Sequence, residues 1–153
     1  MKLPNWAKLG IMVLACELAG IVGSIFTIPA IAGWYAGLIK SAFAPPSWVF
    51  GPAWTTLYFL MGVAAYLIWR KGEVRALYVF WAQLTANVLW SYFFFGMHNP
   101  ALALFDIVLL WVLIFWTIAI FAKISRSAAY MLIPYIAWVS FAAYLNYSIW
   151  MLN

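Results

Sequence analysis

The sequence predicts an all-α integral membrane protein, a bundle of five transmembrane helices with a long loop between the first and second helices. The first observation is composition: 69% of the 153 residues are hydrophobic and only 7% are charged. Soluble proteins carry about 25% charged residues, so this chain lacks the side chains to cover a surface in water. The second is the presence of five apolar segments of about 20 residues, the length that crosses a bilayer as a helix.

The five segments are predicted to be helices because a helix satisfies its own backbone hydrogen bonds in hydrocarbon. A transmembrane barrel would instead show shorter segments of alternating polarity. Turn-forming residues mark the short connections, as in Arg70-Lys71-Gly72. Segment 28–46 is too long for a simple turn and is predicted to form a loop. The whole chain, 1–153, is expected to be one domain. The predicted helices are 7–27, 47–69, 77–96, 102–122 and 128–150.

The basic residues predict the orientation of the bundle. Seven of the eight Lys and Arg residues fall on one side, at the N-terminus and in the connections 70–76 and 123–127. The other side carries only Lys40. Because basic loops stay in the cytoplasm, the N-terminus is expected inside and the C-terminus outside.

Deep aromatic and amide side chains predict a cavity in the outer half of the bundle. In the second helix Trp54 lies about two turns, roughly 10 Å, from the outer side, and Tyr58 follows one turn deeper. The third helix carries a stripe at spacings of four, three and four, and the fifth helix presents a similar face. The stripe contains Gln83, Asn87, Trp90 and Phe94, and the face of the fifth helix contains Tyr135, Trp138, Ala142 and Asn146.

Several of these residues have a second interpretation. Tryptophans near the membrane surface commonly form interfacial belts, and six of the eleven fit that role: Trp6, Trp34, Trp48, Trp69, Trp81 and Trp150. Asp106 is equally well explained as a site residue or as a group that stabilises the start of the fourth helix. Gln83 and Asn87 fit helix–helix hydrogen bonding as well as a site. Glu17 must face the bundle or a partner.

Other function classes lack the residues they need. The sequence contains no Ser/His/Asp set, no Gly-rich phosphate loop and no cluster of metal ligands, so no metal site is expected. The single histidine, His98, is expected to be exposed in a loop, with axial ligation of haem as the alternative. The basic residues form short clusters at the membrane ends, which argues against nucleic acid as a partner. No inverted repeat suggests a transporter.

Residues 45–58, PPSWVFGPAWTTLY, resemble the second-helix signature of the translocator protein family. This TspO/MBR family is also called the tryptophan-rich sensory protein or peripheral-type benzodiazepine receptor family. Further matches lie in the third predicted helix, at Asp106, and in the fifth predicted helix from Pro134 to Asn146. Together the motifs cover most of the chain, in family order.

The resemblance implies a homodimer in the bilayer, in a bacterial cell membrane, whose pocket binds porphyrins or other flat aromatic molecules and requires no cofactor. Bacterial relatives are also associated with light-dependent porphyrin breakdown, in which Trp54 and Trp138 would be the catalytic residues. The implied ligand-binding residues are Tyr35, Pro45, Trp54, Tyr58, Asn87, Trp90, Asp106, Trp138, Ala142 and Asn146.

Two departures from the family pattern affect these expectations. Relatives often have Lys-Pro-x-Trp before the proline pair, whereas this chain has Lys40-Ser41-Ala42-Phe43. Lys40 has two interpretations, as a partner for a porphyrin carboxylate and as a solvated lysine. No basic residue follows the last tryptophan, Trp150, so specific cholesterol binding is not expected.

Overall fold

The computed structural model describes residues 3–153, and in that range the chain forms helices and no strands. Lys2, one of the basic residues used to predict the orientation, lies outside the described residues. The predicted all-α fold with five helices is confirmed. These helices are α1 Asn5–Ile31, α2 Phe50–Arg70, α3 Leu77–Ser91, α4 Pro100–Ile124 and α5 Arg126–Leu152.

The connection between α1 and α2 is shorter than the sequence predicted. α1 continues through Pro29 and ends at Ile31, four residues beyond its predicted end. Neighbouring helices and local adjustments allow proline inside transmembrane helices. The connecting segment contains one turn of 3₁₀-helix, Tyr35–Gly37, and a second turn, Ser47–Val49, leads into α2. Pro52 lies in the first turn of α2, where a backbone N–H has no partner within the helix.

Two helices are interrupted. α3 has 15 residues and continues as a π-helical turn, Tyr92–Gly96, so that the two parts together cover the predicted segment 77–96. Fifteen residues of α-helix span only about 22 Å, less than the roughly 30 Å of a hydrocarbon core. α5 is interrupted at Leu132, just before Pro134. The other four helices are each long and apolar enough to cross a membrane.

The helices pack in a closed ring in the order α1, α2, α5, α4, α3. α2 contacts α5 mainly at the first turns of α5, Arg126–Met131. Beyond those turns α2 and α5 separate toward the other end of the bundle, and this separation leaves space between them.

The two ends of the bundle differ in charge. At the first end, Lys71 Nζ donates a hydrogen bond to the Ile124 carbonyl over 2.7 Å, and the Lys8 ammonium lies 5.5 Å from the ring centre of Trp69. We call this the basic end. At the opposite end, Asn153 exchanges two hydrogen bonds of 2.9 Å with the backbone of Ile39.

Glycine allows α1 and α2 to pack with their backbones in contact. A Cβ atom at Gly62 would lie 2.5 Å from the Cα atom of Val13. Small residues permit this kind of close approach between transmembrane helices. A second close approach lies nearer the opposite end, where a Cβ atom at Gly20 would lie 2.6 Å from the ring of Tyr58.

Gly62→Ala is expected to destabilise the protein even though alanine favours a helix. The gain in helix propensity is about 1 kcal/mol. Overpacking a well-packed contact typically costs about 1–3 kcal/mol. We therefore expect a net loss of about 1 kcal/mol, measured by chemical unfolding in detergent micelles. Gly10→Ala is the control, because nothing lies within 4 Å of its added Cβ atom, and it should be neutral or stabilising. Equal stabilities of the two variants would show that α1 and α2 do not pack as described.

Candidate functional site: an aromatic cavity

The space between the separated helices is a cavity of about 460 Å³. Residues from α1, α2, α3 and α5, from the π-helical turn after α3, and from the α1–α2 connection line it, and none from α4 does. Its walls are mainly apolar and aromatic. Eight of the ten residues proposed from the sequence lie around this one space: Tyr35, Trp54, Tyr58, Asn87, Trp90, Trp138, Ala142 and Asn146.

The other two proposed residues, Pro45 and Asp106, do not line the cavity. Pro45 is half-buried in the connection before α2. Asp106 is buried on α4, and its Oδ2 atom has no hydrogen-bond partner. It does not cap the helix, because the Asn99 side chain accepts the Leu102 N–H over 3.0 Å and Asp106 lies beyond the first turn.

A chain of hydrogen bonds beside the cavity joins α2, α3 and α5. The Tyr58 hydroxyl donates to Asn87 Oδ1, and Asn87 Nδ2 donates to the Tyr135 hydroxyl over 2.8 Å. Tyr135 in turn donates to Gln83 Oε1 over 2.7 Å. All four side chains are buried. The two amides of the predicted stripe on α3 therefore act as hydrogen-bonding links between helices, and Asn87 also borders the cavity.

The rings of the cavity wall are held by their neighbours. The Trp54 ring stacks on Tyr58 with centroids 5.7 Å apart and meets the edge of Tyr135 at 6.3 Å. Trp90 donates its indole N–H to Asn146 Oδ1 over 3.0 Å, and Asn146 Nδ2 donates to the Pro100 carbonyl over 2.8 Å. These contacts fix the rings in the absence of a ligand.

Trp138 differs from the other two tryptophans of the wall. Its ring packs against Phe50 and Phe141, with centroids 6.1 Å and 5.9 Å away. Its indole Nε1 is buried and has no hydrogen-bond partner among the described residues. Buried polar groups are normally paired, so this N–H is a free donor at the cavity wall.

The α1–α2 connection closes the outer end of the cavity through Tyr35. This side chain is buried, and its ring lies 5.8 Å from that of Phe95. Burial raises the pKa of Tyr35 above 10, so its hydroxyl remains protonated at neutral pH. Lys40 does not line the cavity. Its ammonium lies 4.8 Å from the centre of the Tyr35 ring and donates to the Leu38 carbonyl over 3.0 Å.

His98 is exposed and stacks on Trp34, with ring centroids 4.5 Å apart and an interplanar angle of 9°. It does not line the aromatic cavity. An exposed histidine agrees with the first of the two interpretations drawn from the sequence. The tryptophan beneath it accounts for its position.

Sequence reasoning missed the α1 wall of the cavity. Glu17, Gly20, Ser24 and Ile28 line it, yet none was proposed as a site residue. The available signal was the run of small residues at every fourth position from Cys16 to Ser24, which marked a packing face. Trp48 was assigned to an interfacial belt; it is 75% exposed, and it also borders the cavity.

Comparison with known proteins agrees with this arrangement. Residues 12–151 match the TspO/MBR family. The chain is 43% identical over 152 residues to the Tryptophan-rich protein TspO of Archaeoglobus fulgidus, covering 97% of this chain and 99% of that protein. It is 44% identical to the protein of the same name in Chlorobaculum tepidum, covering 90% of each chain. It is 37% identical to the Translocator protein of Homo sapiens, covering 96% of this chain and 90% of that one. The chain therefore belongs to the TspO/MBR family and is an integral, multi-pass membrane protein.

Proposed function

We propose that this protein binds a porphyrin or another tetrapyrrole in the aromatic cavity and acts as a sensor, carrier or regulator of tetrapyrrole handling. The observation that supports this most is the convergence of Trp54, Trp90 and Trp138 on one space of about 460 Å³. Ligand pockets typically have volumes of about 300–1,000 Å³ and mainly apolar walls. Offset and edge-to-face contacts with the indole rings would stabilise a flat macrocycle.

The fixed wall supports binding over a purely structural role. Trp54 and Trp90 are already oriented by Tyr58 and Asn146, so a ligand would order few side chains on entry. A pre-formed site lowers the free-energy cost of binding. Relatives named "Tryptophan-rich sensory protein" in Cereibacter sphaeroides and "Translocator protein" in Homo sapiens suggest sensing or carriage.

A second candidate is photo-oxidative degradation of a bound porphyrin. The observation that favours it is the position of Trp54 and Trp138, two oxidisable rings that line the same cavity. Light would excite the porphyrin, molecular oxygen would be the oxidant, and the indoles would donate electrons. This chemistry does not require an acid–base pair in the cavity.

We further propose that the protein is a homodimer in a bacterial cell membrane, with the basic end in the cytoplasm. The basic side chains at the ends of α2, α4 and α5 support this orientation, since basic loops stay inside. Labelling of an introduced Ser127→Cys thiol from outside intact cells would contradict it. A monomer mass for the protein extracted in native lipid discs would contradict the dimer.

Protoporphyrin titrated into the purified protein in the dark is expected to quench tryptophan fluorescence with saturation at about micromolar concentration. The double variant Trp54→Phe, Trp138→Phe should bind several-fold more weakly. The double variant Trp6→Phe, Trp116→Phe is the matched control, because both of its tryptophans are exposed away from the cavity. Absence of saturable binding by the native protein would contradict the proposed function.

Illumination of the same samples separates the two candidate functions. Light-driven loss of porphyrin in the native protein and the control variant, but not in the Trp54/Trp138 variant, would favour degradation. Binding without any loss of porphyrin would leave the sensor, carrier or regulator.

A further inference from the structure

The aromatic cavity carries one charged side chain, and that side chain is acidic. Of the described residues that line it, Glu17 on α1 is the only one with a charge, and the lining contains no Lys, Arg or His. The nearest candidate for a cation at the outer end, Lys40, is engaged with its own loop carbonyls and the Tyr35 ring. The cavity therefore offers a tetrapyrrole carboxylate no cationic partner among these residues.

Most other polar groups of the wall already have partners within the protein. The hydroxyls of Ser24, Thr27 and Thr55 donate to backbone carbonyls of their own helices over 2.6 Å, 3.1 Å and 2.9 Å. Tyr58 donates to Asn87, and Trp90 donates to Asn146. Two groups remain prominent for a ligand, the Glu17 carboxylate and the unpartnered Trp138 N–H.

These two groups stand on different walls of the cavity. Glu17 belongs to α1 and Trp138 to α5, and those helices are not neighbours in the ring. Glu17 lies one turn before Gly20, which touches the Tyr58 ring, and so marks the inner part of the α1 wall. The cavity thus has an acceptor on the α1 side and a donor on the α5 side.

A charge at this site has a long reach. Coulomb energy falls only as the inverse of distance, and the surrounding side chains and lipid screen it far less than water does. A ligand carboxylate inside the cavity would meet both this repulsion and the loss of its hydration. A ligand N–H group or cation would instead be attracted to Glu17.

We infer that Glu17 determines ligand specificity: the cavity accepts the uncharged or cationic, N–H-bearing core of a tetrapyrrole and excludes its carboxylates, which stay at the open outer end. This inference rests on the proposed function in taking the cavity as the tetrapyrrole site. The preferred ligand class is a neutral or cationic macrocycle that presents an acceptor to Trp138.

Three porphyrins with the same ring test this inference. They are protoporphyrin, its uncharged dimethyl ester, and a bis(aminoethyl)amide that carries two ammonium groups. Each is titrated in the dark into the native protein, into Glu17→Gln, and into Glu73→Gln. Glu73 is the matched control, since it lies in the exposed α2–α3 connection and its change removes the same charge away from the cavity.

The native protein is expected to bind the diamine most tightly and protoporphyrin most weakly, with the ester between them. Glu17→Gln should weaken the diamine about tenfold and strengthen protoporphyrin several-fold, while the ester changes by less than about twofold. Glu73→Gln should reproduce the native order. Because glutamine has nearly the shape of glutamate, the variant is expected to fold, and its unfolding transition is measured alongside.

The result that overturns the inference is an unchanged ratio between diamine and protoporphyrin affinities in Glu17→Gln. Failure of the uncharged ester to bind the native protein is a different outcome, because it contradicts the proposed function itself and the inference with it. Equal shifts in Glu17→Gln and Glu73→Gln would assign the effect to net charge and would also overturn the inference.

Discussion

Ala142→Trp is expected to abolish binding of a flat aromatic ligand and to leave the fold intact. Ala142 is buried on α5 one turn beyond Trp138, and its side chain lines the cavity. An indole ring added there would occupy space that the ligand needs. We expect the affinity for protoporphyrin, measured by quenching in the dark, to fall by at least about a hundredfold, roughly 3 kcal/mol.

Ala137→Trp is the control for that substitution. Ala137 is five residues earlier on the same helix, exposed and away from the cavity lining. It should bind like the native protein. Because the new ring of Ala142→Trp enters existing space, little of the usual cost of overpacking is expected, and its unfolding transition should stay close to that of the native protein. Native-like binding by a folded Ala142→Trp would show that the ligand binds elsewhere.

Asn87→Leu is expected to give a large loss of stability. Asn87 accepts from Tyr58 and donates to Tyr135, and all three side chains are buried. Leucine has a similar size, so the substitution removes two hydrogen bonds and leaves a buried tyrosine hydroxyl without its acceptor. Side-chain hydrogen bonds between membrane helices contribute about 0.6 kcal/mol on average, and an unpaired buried group costs about 1–3 kcal/mol. We expect a total loss of about 2 kcal/mol.

A double-mutant cycle with Tyr135→Phe measures this loss by chemical unfolding in micelles. Since the two residues share a hydrogen bond, their effects should fall short of the sum. Thr85→Ala is the control. Thr85 is exposed on the same helix and bonds only to the carbonyl of Trp81, so its loss should be small. Additive effects of the Asn87 and Tyr135 substitutions would contradict a shared network.

The helical spacing of large polar and aromatic residues was enough to predict much of the cavity. On α3, spacings of three and four put Asn87 and Trp90 on one face, and the structure places both at the cavity. On α5 the same reasoning brought Trp138, Ala142 and Asn146 together. Such residues are rare in an apolar helix, so each one narrows the choice of the face that turns inward.

The α1 wall could not be predicted in the same way. α1 has a mean hydropathy of 2.2 in its most apolar window, and its apolar side chains extend around the helix, so hydropathy does not distinguish the face of Ile28 from its opposite face. Asp106 shows the converse problem. A buried carboxylate suggests a site, but only packing reveals that α4 lies behind the other helices and contributes nothing to the cavity wall.

The backbone contact between Gly62 and Val13 also governs how the cavity can change in size. Every cavity-lining residue of α1 follows Val13, and every one of α2 precedes Gly62. The contact therefore acts as a fulcrum, about which the far halves of the two helices can spread while their near halves stay in place. Exposed lining residues such as Ile21, Ile28 and Trp48 sit on the moving side. A ligand too large for the resting cavity would consequently be accommodated by swelling toward the lipid, and the basic end would keep its shape.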